Sequence, residues 1–294
     1  MATVAAAAII ARLLAEPSLE IGAKDFRQLE TAGPRLPRST AVAIAHFPNE
    51  DMKARVRAAE AVRRSGHVPI PHIAARRVES ADQLARFLVD LRRAADADRL
   101  FVIAGDPDQP LGPYRDALAL IEKGDFAKAG FSTVGIAGYP DGHPRIANDD
   151  LWTSLQAKVN ALAARGHDID IVTQFSFDAD AVLRWMAELR GRGIDAPVKI
   201  GVPGPVSLAG LVHFAARSGV SASRSALAKY GASIGKVIGT VGPRAFLEQL
   251  AVGLDARDYG RTSLHFFTFG ALEKTVEWVR ATSAAGGHST DGRR

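Results

Sequence analysis

The sequence predicts a (β/α)8 TIM barrel, an α/β fold in which eight parallel strands alternate with helices. Three observations lead there. Short β-rich runs alternate with apolar patterns at helical spacing along nearly the whole chain. Those runs number eight, at 18–23, 40–46, 68–75, 100–106, 133–139, 170–177, 198–204 and 263–269. The length, 294 residues, suits one barrel domain. A doubly wound open sheet is the runner-up.

Taken in order, the Ala-rich opening at 4–14 is too short to span a membrane and carries Arg12. With no basic segment and cleavage site it reads as a helix, not a signal peptide. The first strand carries Glu20 between Leu19 and Ile21. A lone carboxylate among aliphatics is desolvated, which favours its protonated form and suits a general acid. An ion pair to Lys24 or an Arg is the equal alternative. The second strand ends in His46 and the third holds Pro71-His72-Ile73. A single His is more often a satisfied structural group than a ligand. The fourth ends in Ala104-Gly105-Asp106-Pro107, where Gly105 lets a ligand approach the backbone. Asp106 places a carboxylate at the mouth, to steady a cation, hold an N–H-rich ring, or cap a turn.

The fifth strand ends in the polar loop Gly138-Tyr139-Pro140-Asp141-Gly142-His143-Pro144. The sixth is the richest stretch, Asp170 through Gln174-Phe175-Ser176-Phe177 to Asp178. Gln174 both donates and accepts, so it can read the edge of a heterocycle. Phe175 and Phe177 alternate away from Ser176 and offer flat walls. Helical patterns at 52–64, 81–95, 151–164, 179–190 and 208–217 lie between strands. They open on Ser80, Asn148 or Asp178 and close on Gly66, Gly166 or Gly193. The stretch 221–260 predicts two extra helices between the seventh and eighth strands. The eighth strand gives His265-Phe266-Phe267-Thr268-Phe269. One catalytic domain is expected over 1–282, with a disordered tail at 283–294.

Composition narrows the function. Hydrophobic residues make up 47% and charged residues 23%, with a net charge of +5. The Arg residues are spread over amphipathic helices without interleaved aromatics, which argues against nucleic acid and for small anionic ligands. No apolar run is long enough for a membrane span. The chain has no Cys, which excludes disulfides, thiolate metal sites and a Cys nucleophile, and fits a reducing cytoplasm. The His residues and carboxylates share no ligand spacing, so no metal is expected. Nucleophile-elbow, phosphate-loop and dinucleotide-fold motifs are missing too, so a nucleotide cofactor would have to lie across the barrel mouth. Lys199 is the one Schiff-base candidate, without evident activating neighbours.

Together, Thr173-Gln174-Phe175-Ser176-Phe177-Asp178, the 138–144 loop, Ala104-Gly105-Asp106, Pro71-His72-Ile73 and His265-Phe266-Phe267-Thr268 resemble the methylenetetrahydrofolate reductase family over residues 17–280. The resemblance implies a flavin-dependent barrel interconverting 5,10-methylene- and 5-methyltetrahydrofolate, with FAD and NADH or NADPH. Folate and nicotinamide are then its partners, and a homo-oligomer is compatible with it. By the same resemblance, Glu20 is similar to the acid that promotes protonation of folate N10. Asp106 is similar to the Asp facing the pterin, Gln174 to the Gln that hydrogen-bonds it, and Phe214 to an aromatic stacking on nicotinamide or folate, with Phe177 beside the substrate. His72 and Tyr139 match flavin-contacting positions; Gly105, His143 and Lys158 join them on the cofactor side. No C-terminal regulatory domain of the larger members is expected. Departures are Leu19-Glu20-Ile21-Gly22-Ala23-Lys24 at the first strand, Ala104 where an Arg is common, Ala45 for a Thr and Gly270 for an Asn. The absent Arg and Thr remove cofactor hydrogen bonds. Flavin-free hydride transfer from NADH and a non-catalytic folate-binding paralogue therefore stay as alternatives.

Overall fold

The structure, a computed structural model, describes residues 4–47, 50–207, 240–241 and 243–287. Eight parallel strands close into one barrel: β1 (Ser18–Gly22), β2 (Ala41–Ala45), β3 (Val68–Ala74), β4 (Arg99–Ile103), β5 (Thr133–Gly138), β6 (Asp168–Thr173), β7 (Val198–Pro203) and β10 (Thr262–Phe267). The ring closes where β1 pairs with both β2 and β10, Glu20 lying opposite Ala43 and Phe267. After β7, the two-residue strands β8 (Val206–Ser207) and β9 (Thr240–Val241) pair antiparallel. All eight predicted barrel strands are present. The largest shift is at the sixth, which ends at Thr173, so Gln174, Phe175 and Phe177 belong to the loop above the barrel.

Period-two alternation explains the two surfaces of the barrel. Outward residues such as Ile21, Ile44, Val102, Ile136, Ile200 and Phe266 are fully buried beneath the helices. Inward positions are small instead: Ala43, Ala45, Gly135 and Ala137 line the interior beside Ile70 and Phe101. A side chain on Gly135 would put its Cβ 2.5 Å from the Phe101 ring. The small residues leave room for charged groups where an aliphatic plug is usual.

Helices α1 (Val4–Ala15), α2 (Phe26–Ala32), α3 (Met52–Arg64), α4 (Ala81–Ala95), α5 (Ala117–Lys123), α6 (Asn148–Ala164), α7 (Ala179–Gly191), α8 (Arg244–Ala256) and α9 (Leu272–Gly287) form the outer layer. Neighbours pack as α3 on α4, α5 on α6 and α7 on α8, while α1 packs on α8 and α9. Ser80 and Asp178 cap α4 and α7, accepting from the N–H of Gln83 and Ala181. The α6 cap differs from expectation. Ala147 occupies it without a side-chain bond, and Asn148 is already the first helical residue.

Gly66, Gly166 and Gly193 follow α3, α6 and α7 with φ of +82°, +74° and +74°. The N–H groups of His67, His167 and Ile194 reach back to the carbonyls of Val62, Leu162 and Leu189. This is the 6→1 bond of a Schellman motif, which needs a left-handed residue. The C-terminal helix α9 runs to Gly287 and so takes in the first residues of the 283–294 stretch expected to be a disordered tail; 288–294 lie outside the described residues. Of the extra helices expected at 221–260, α8 is one; 221–239 and the helix expected at 208–217 lie outside the described residues. Among the described residues no helix is long and apolar enough to cross a membrane.

Candidate active site

The strands deliver Glu20, His72, Asp106, Tyr139, Gln174 and His265 to one cavity that descends from the C-terminal mouth along the barrel axis. Glu20, on β1, points inward by the same parity as Ser18. Its carboxylate Oε2 lies 3.7 Å from His72 Nε2 and 3.9 Å from His265 Nε2. Thr268 donates its hydroxyl to the Glu20 carbonyl at 2.6 Å, tying β1 to the end of β10.

The neighbours reverse the charge expected for Glu20. Burial, the largest influence, pushes the carboxyl pKa up; attraction to His265 and then to His72 outweighs it and holds the value below the ordinary one. Glu20 is therefore ionised at neutral pH, where isolation among aliphatics predicted the protonated form. Among the described residues neither Lys24 nor an Arg pairs with it, and two imidazoles take that place. Burial drives the His72 imidazole down to about 4, against the opposing pull of Glu20, so His72 is neutral at pH 7. Its ring packs on Phe101 at 4.6 Å between centroids.

His265 is the functional residue that individual motif reading passed over. Its Nδ1 lies 2.9 Å from Ser18 Oγ, and Ser18 also reaches the Leu264 carbonyl at 3.3 Å. When the hydroxyl donates to that carbonyl, Nδ1–H donates to Ser18. In the other tautomer the Ser18 hydroxyl donates to Nδ1, and Nε2 carries the hydrogen that faces the Glu20 carboxylate. The signal available in the sequence was parity: Ser18 and Glu20 on one strand, His265 and Phe267 on another, all facing in.

Around the mouth, Phe175 stands edge-on to Phe267 and Phe269, at 5.4 and 5.3 Å. Phe175 lines the cavity. Phe177 packs behind it at 6.2 Å, outside the lining. Asp106 meets Arg77 Nη2 at 3.3 Å, a partner that the sequence did not suggest. Gly105 adopts φ +89°, open to glycine and strained for other residues. His46 also lines the mouth, and both its ring nitrogens are buried without a hydrogen-bond partner. Phe214 lies outside the described residues.

A second cavity, about 640 Å3, lies between the ends of β4 and β5 and helices α6 and α7. Tyr139 lines both cavities, and His143 packs edge-on against it at 5.5 Å. Burial pushes the Tyr139 phenol up. Lys158 projects here from α6, largely buried, and no hydrogen bond or ion pair engages it among the described residues. Burial brings its ammonium down to about 8, against the attraction of Asp116. Trp152 and Trp185 stack at 5.5 Å along the wall. The absent side chain of Gly138 admits Trp185, since a Cβ there would sit 2.8 Å from the indole. So the predicted residues divide: Glu20, His72, Asp106 and Gln174 share the axial cavity, Lys158 the lateral one. Tyr139 stands between. Among the described residues, no group of three His, Cys, Asp or Glu could hold a metal ion.

Comparison with known proteins adds three findings. The sequence profile of the methylenetetrahydrofolate reductase family matches residues 106–276. The chain is 33% identical over 69 residues to methylenetetrahydrofolate reductase 2 of Saccharomyces cerevisiae, covering 24% of this chain and 11% of that protein. It is 28% identical over 115 residues to methylenetetrahydrofolate reductase (NADH) 1 of Zea mays, covering 35% and 19%. The matches thus span less than a fifth of either relative. Among solved structures, a GH18 chitinase from Pseudoalteromonas aurantia superposes with a TM-score of 0.56 at 9% identity, over 91% of this chain and 100% of that one. That likeness concerns the barrel alone.

Proposed function

The chain belongs to the methylenetetrahydrofolate reductase family, and from that premise we propose that it interconverts 5,10-methylenetetrahydrofolate and 5-methyltetrahydrofolate with NAD(P)H as hydride source. The observation that carries this reading is the Glu20 carboxylate. It is buried between two imidazoles, in a cavity whose lining also includes Asp106, Gln174 and Phe175. Reducing the methylene bridge takes one hydride on carbon and one proton on N10, whose arrival opens the ring to an iminium. Glu20, ionised at rest, takes up a proton inside the barrel and gives it to N10, with His72 and His265 beside it. Asp106 offsets the positive charge of the iminium, Gln174 reads the pterin edge, and the Phe175 and Phe267 rings exclude water. The name of the maize relative supports NADH as the donor.

The lateral cavity supports a flavin nucleotide. Lys158 is a buried cation that makes no ion pair among the described residues, with Asp116 in the same lining as its attracting carboxylate, and it suits a diphosphate. Tyr139 lines both cavities, and Gly105 lies between Ala104 of the lateral lining and Asp106 of the axial one. Bound FAD would take the hydride from nicotinamide and pass it to the folate carbon. Transfer from NADH without flavin is favoured by a different observation. Ala45 lines the axial cavity and Ala104 the lateral one, and neither side chain offers a hydrogen bond.

The test is NADH oxidation by methylenetetrahydrofolate, with and without added FAD, in the native protein and in Glu20→Gln. The variant should lose at least about a hundredfold of the folate rate and keep NADH oxidation by an artificial acceptor. Folate turnover that needs no FAD would favour direct transfer. A native protein that never oxidises NADH with folate removes the reading altogether.

A further inference from the structure

The floor of the axial cavity is made of charges. Lys199 Nζ and Asp170 Oδ2 are 2.6 Å apart, both side chains largely buried. Arg99 stands beside them in the lining with its Nε buried and without a partner. Beneath this layer a further cavity of about 590 Å3 opens on the N-terminal face, where Glu16, Arg38 and Ser39 on its rim are exposed. Ser18, Arg99, Thr133, Asp170 and Lys199 line both spaces, so a single polar layer separates the barrel interior from solvent on that side. Burying an ion pair where aliphatic residues would pack costs stability, and the layer gives water a polar route in return.

We propose that the proton used by Glu20 enters through this floor, from the N-terminal face, and not through the mouth. This rests on the reading of Glu20 as the acid. Aromatic ligands stacked on Phe175 and Phe267 would close the mouth during turnover, whereas the floor stays open whatever is bound above it. The inner route has one hydrogen bond in place and one short gap that a small rotation of the Glu20 carboxylate closes. Ser18 touches the lower cavity and bonds His265 Nδ1 at 2.9 Å, and His265 Nε2 faces Glu20 at 3.9 Å. The transfer starts with His265 in its Nε2–H tautomer and the Ser18 hydroxyl turned from the Leu264 carbonyl to the bare Nδ1. A hydronium ion or buffer acid gives a proton to Ser18 Oγ as Ser18 passes its own hydroxyl hydrogen to Nδ1. His265 then releases the Nε2 hydrogen to the Glu20 carboxylate and is left as the Nδ1–H tautomer, which donates to Ser18 until exchange of that hydrogen with water resets the ring. One proton enters, one reaches Glu20, and nothing is oxidised or reduced. Lys199 and Asp170 are positioning residues that keep the entrance wet.

The test replaces the pair by apolar groups of similar size, Lys199→Met with Asp170→Leu, and follows exchange of the His265 Nδ1 hydrogen by 15N NMR. Exchange should slow at least tenfold, while opening the mouth with Phe175→Ala should leave it unchanged. Thr133→Val, which removes one hydroxyl without changing volume, repeats the measurement should the double variant not fold. Unchanged exchange in the floor variants, or faster exchange with Phe175→Ala, overturns the route. In the folate reaction, the floor variants should turn over at least tenfold more slowly, with a larger solvent isotope effect and partial rescue by formate buffer. A native protein without folate turnover would sink the functional reading, and the exchange experiment would still decide the route.

Discussion

Glu20 and His72 stand 3.7 Å apart and respond to acid in the same direction. His72 titrates near 4 in the folded protein and near 6.5 when unfolded, so the unfolded chain binds more protons between those values. Stability is therefore lost as pH falls from about 6.5 towards 4. Glu20, with its value depressed, loses stability only further down, as pH falls through its folded pKa. In His72→Gln the decline in unfolding free energy between pH 7 and 5 should shrink by about 2 kcal/mol, measured by urea denaturation. An unchanged acid slope would mean that the imidazole is charged in the barrel. Lys158 gives the opposite case for ligand binding. Its ammonium near 8 predicts that FAD affinity falls as pH rises past that value, and that Lys158→Met weakens FAD at least tenfold, by calorimetry. Equal FAD affinity in that variant would take Lys158 off the cofactor. That Glu20, Gln174 and Tyr139 face one cavity was legible in sequence because the strands of a barrel bring such residues to a common mouth. The charge of Glu20 was not, because it is set by His72 and His265 on two other strands.

At the scale of elements, helix ends were the most legible feature, since capping is local. Gly66, Gly166 and Gly193 each adopt a positive φ, and a Cβ at any of them would meet nothing within 4 Å. The cost of a side chain there is purely conformational. Gly166→Ala should destabilise the protein by about 1 kcal/mol, and Gly166→Asn by less. A neutral Gly166→Ala in thermal denaturation would contradict the left-handed cap. Asn148 was less legible because Ala147 and Asn148 are both compatible with the turn. The Lys199–Asp170 pair was hidden for a geometric reason. Period two indicates that both side chains face inward, but their meeting depends on the stagger between β6 and β7, where Val172 lies opposite Lys199.

For the molecule as a whole, eight runs of alternating sequence sufficed to predict the closed barrel, because outward aliphatics need a coat of helices on every side. Closure also explains why the site is assembled from distant segments: Glu20 and His265 are separated by most of the chain and lie on paired strands. The family match begins at Asp106, so the half-barrel that carries Glu20 and His72 lies outside it, in keeping with the unusual sequence of the first strand. The stacked indoles of the lateral cavity have an optical consequence. The chain has three Trp residues; Trp152 and Trp185 line that cavity, and Trp278 packs on Phe266 at 5.9 Å. An isoalloxazine or adenine entering there would quench two of the protein's three native fluorophores and leave the third alight. The emission of the unmodified protein thus contains its own gauge of occupancy.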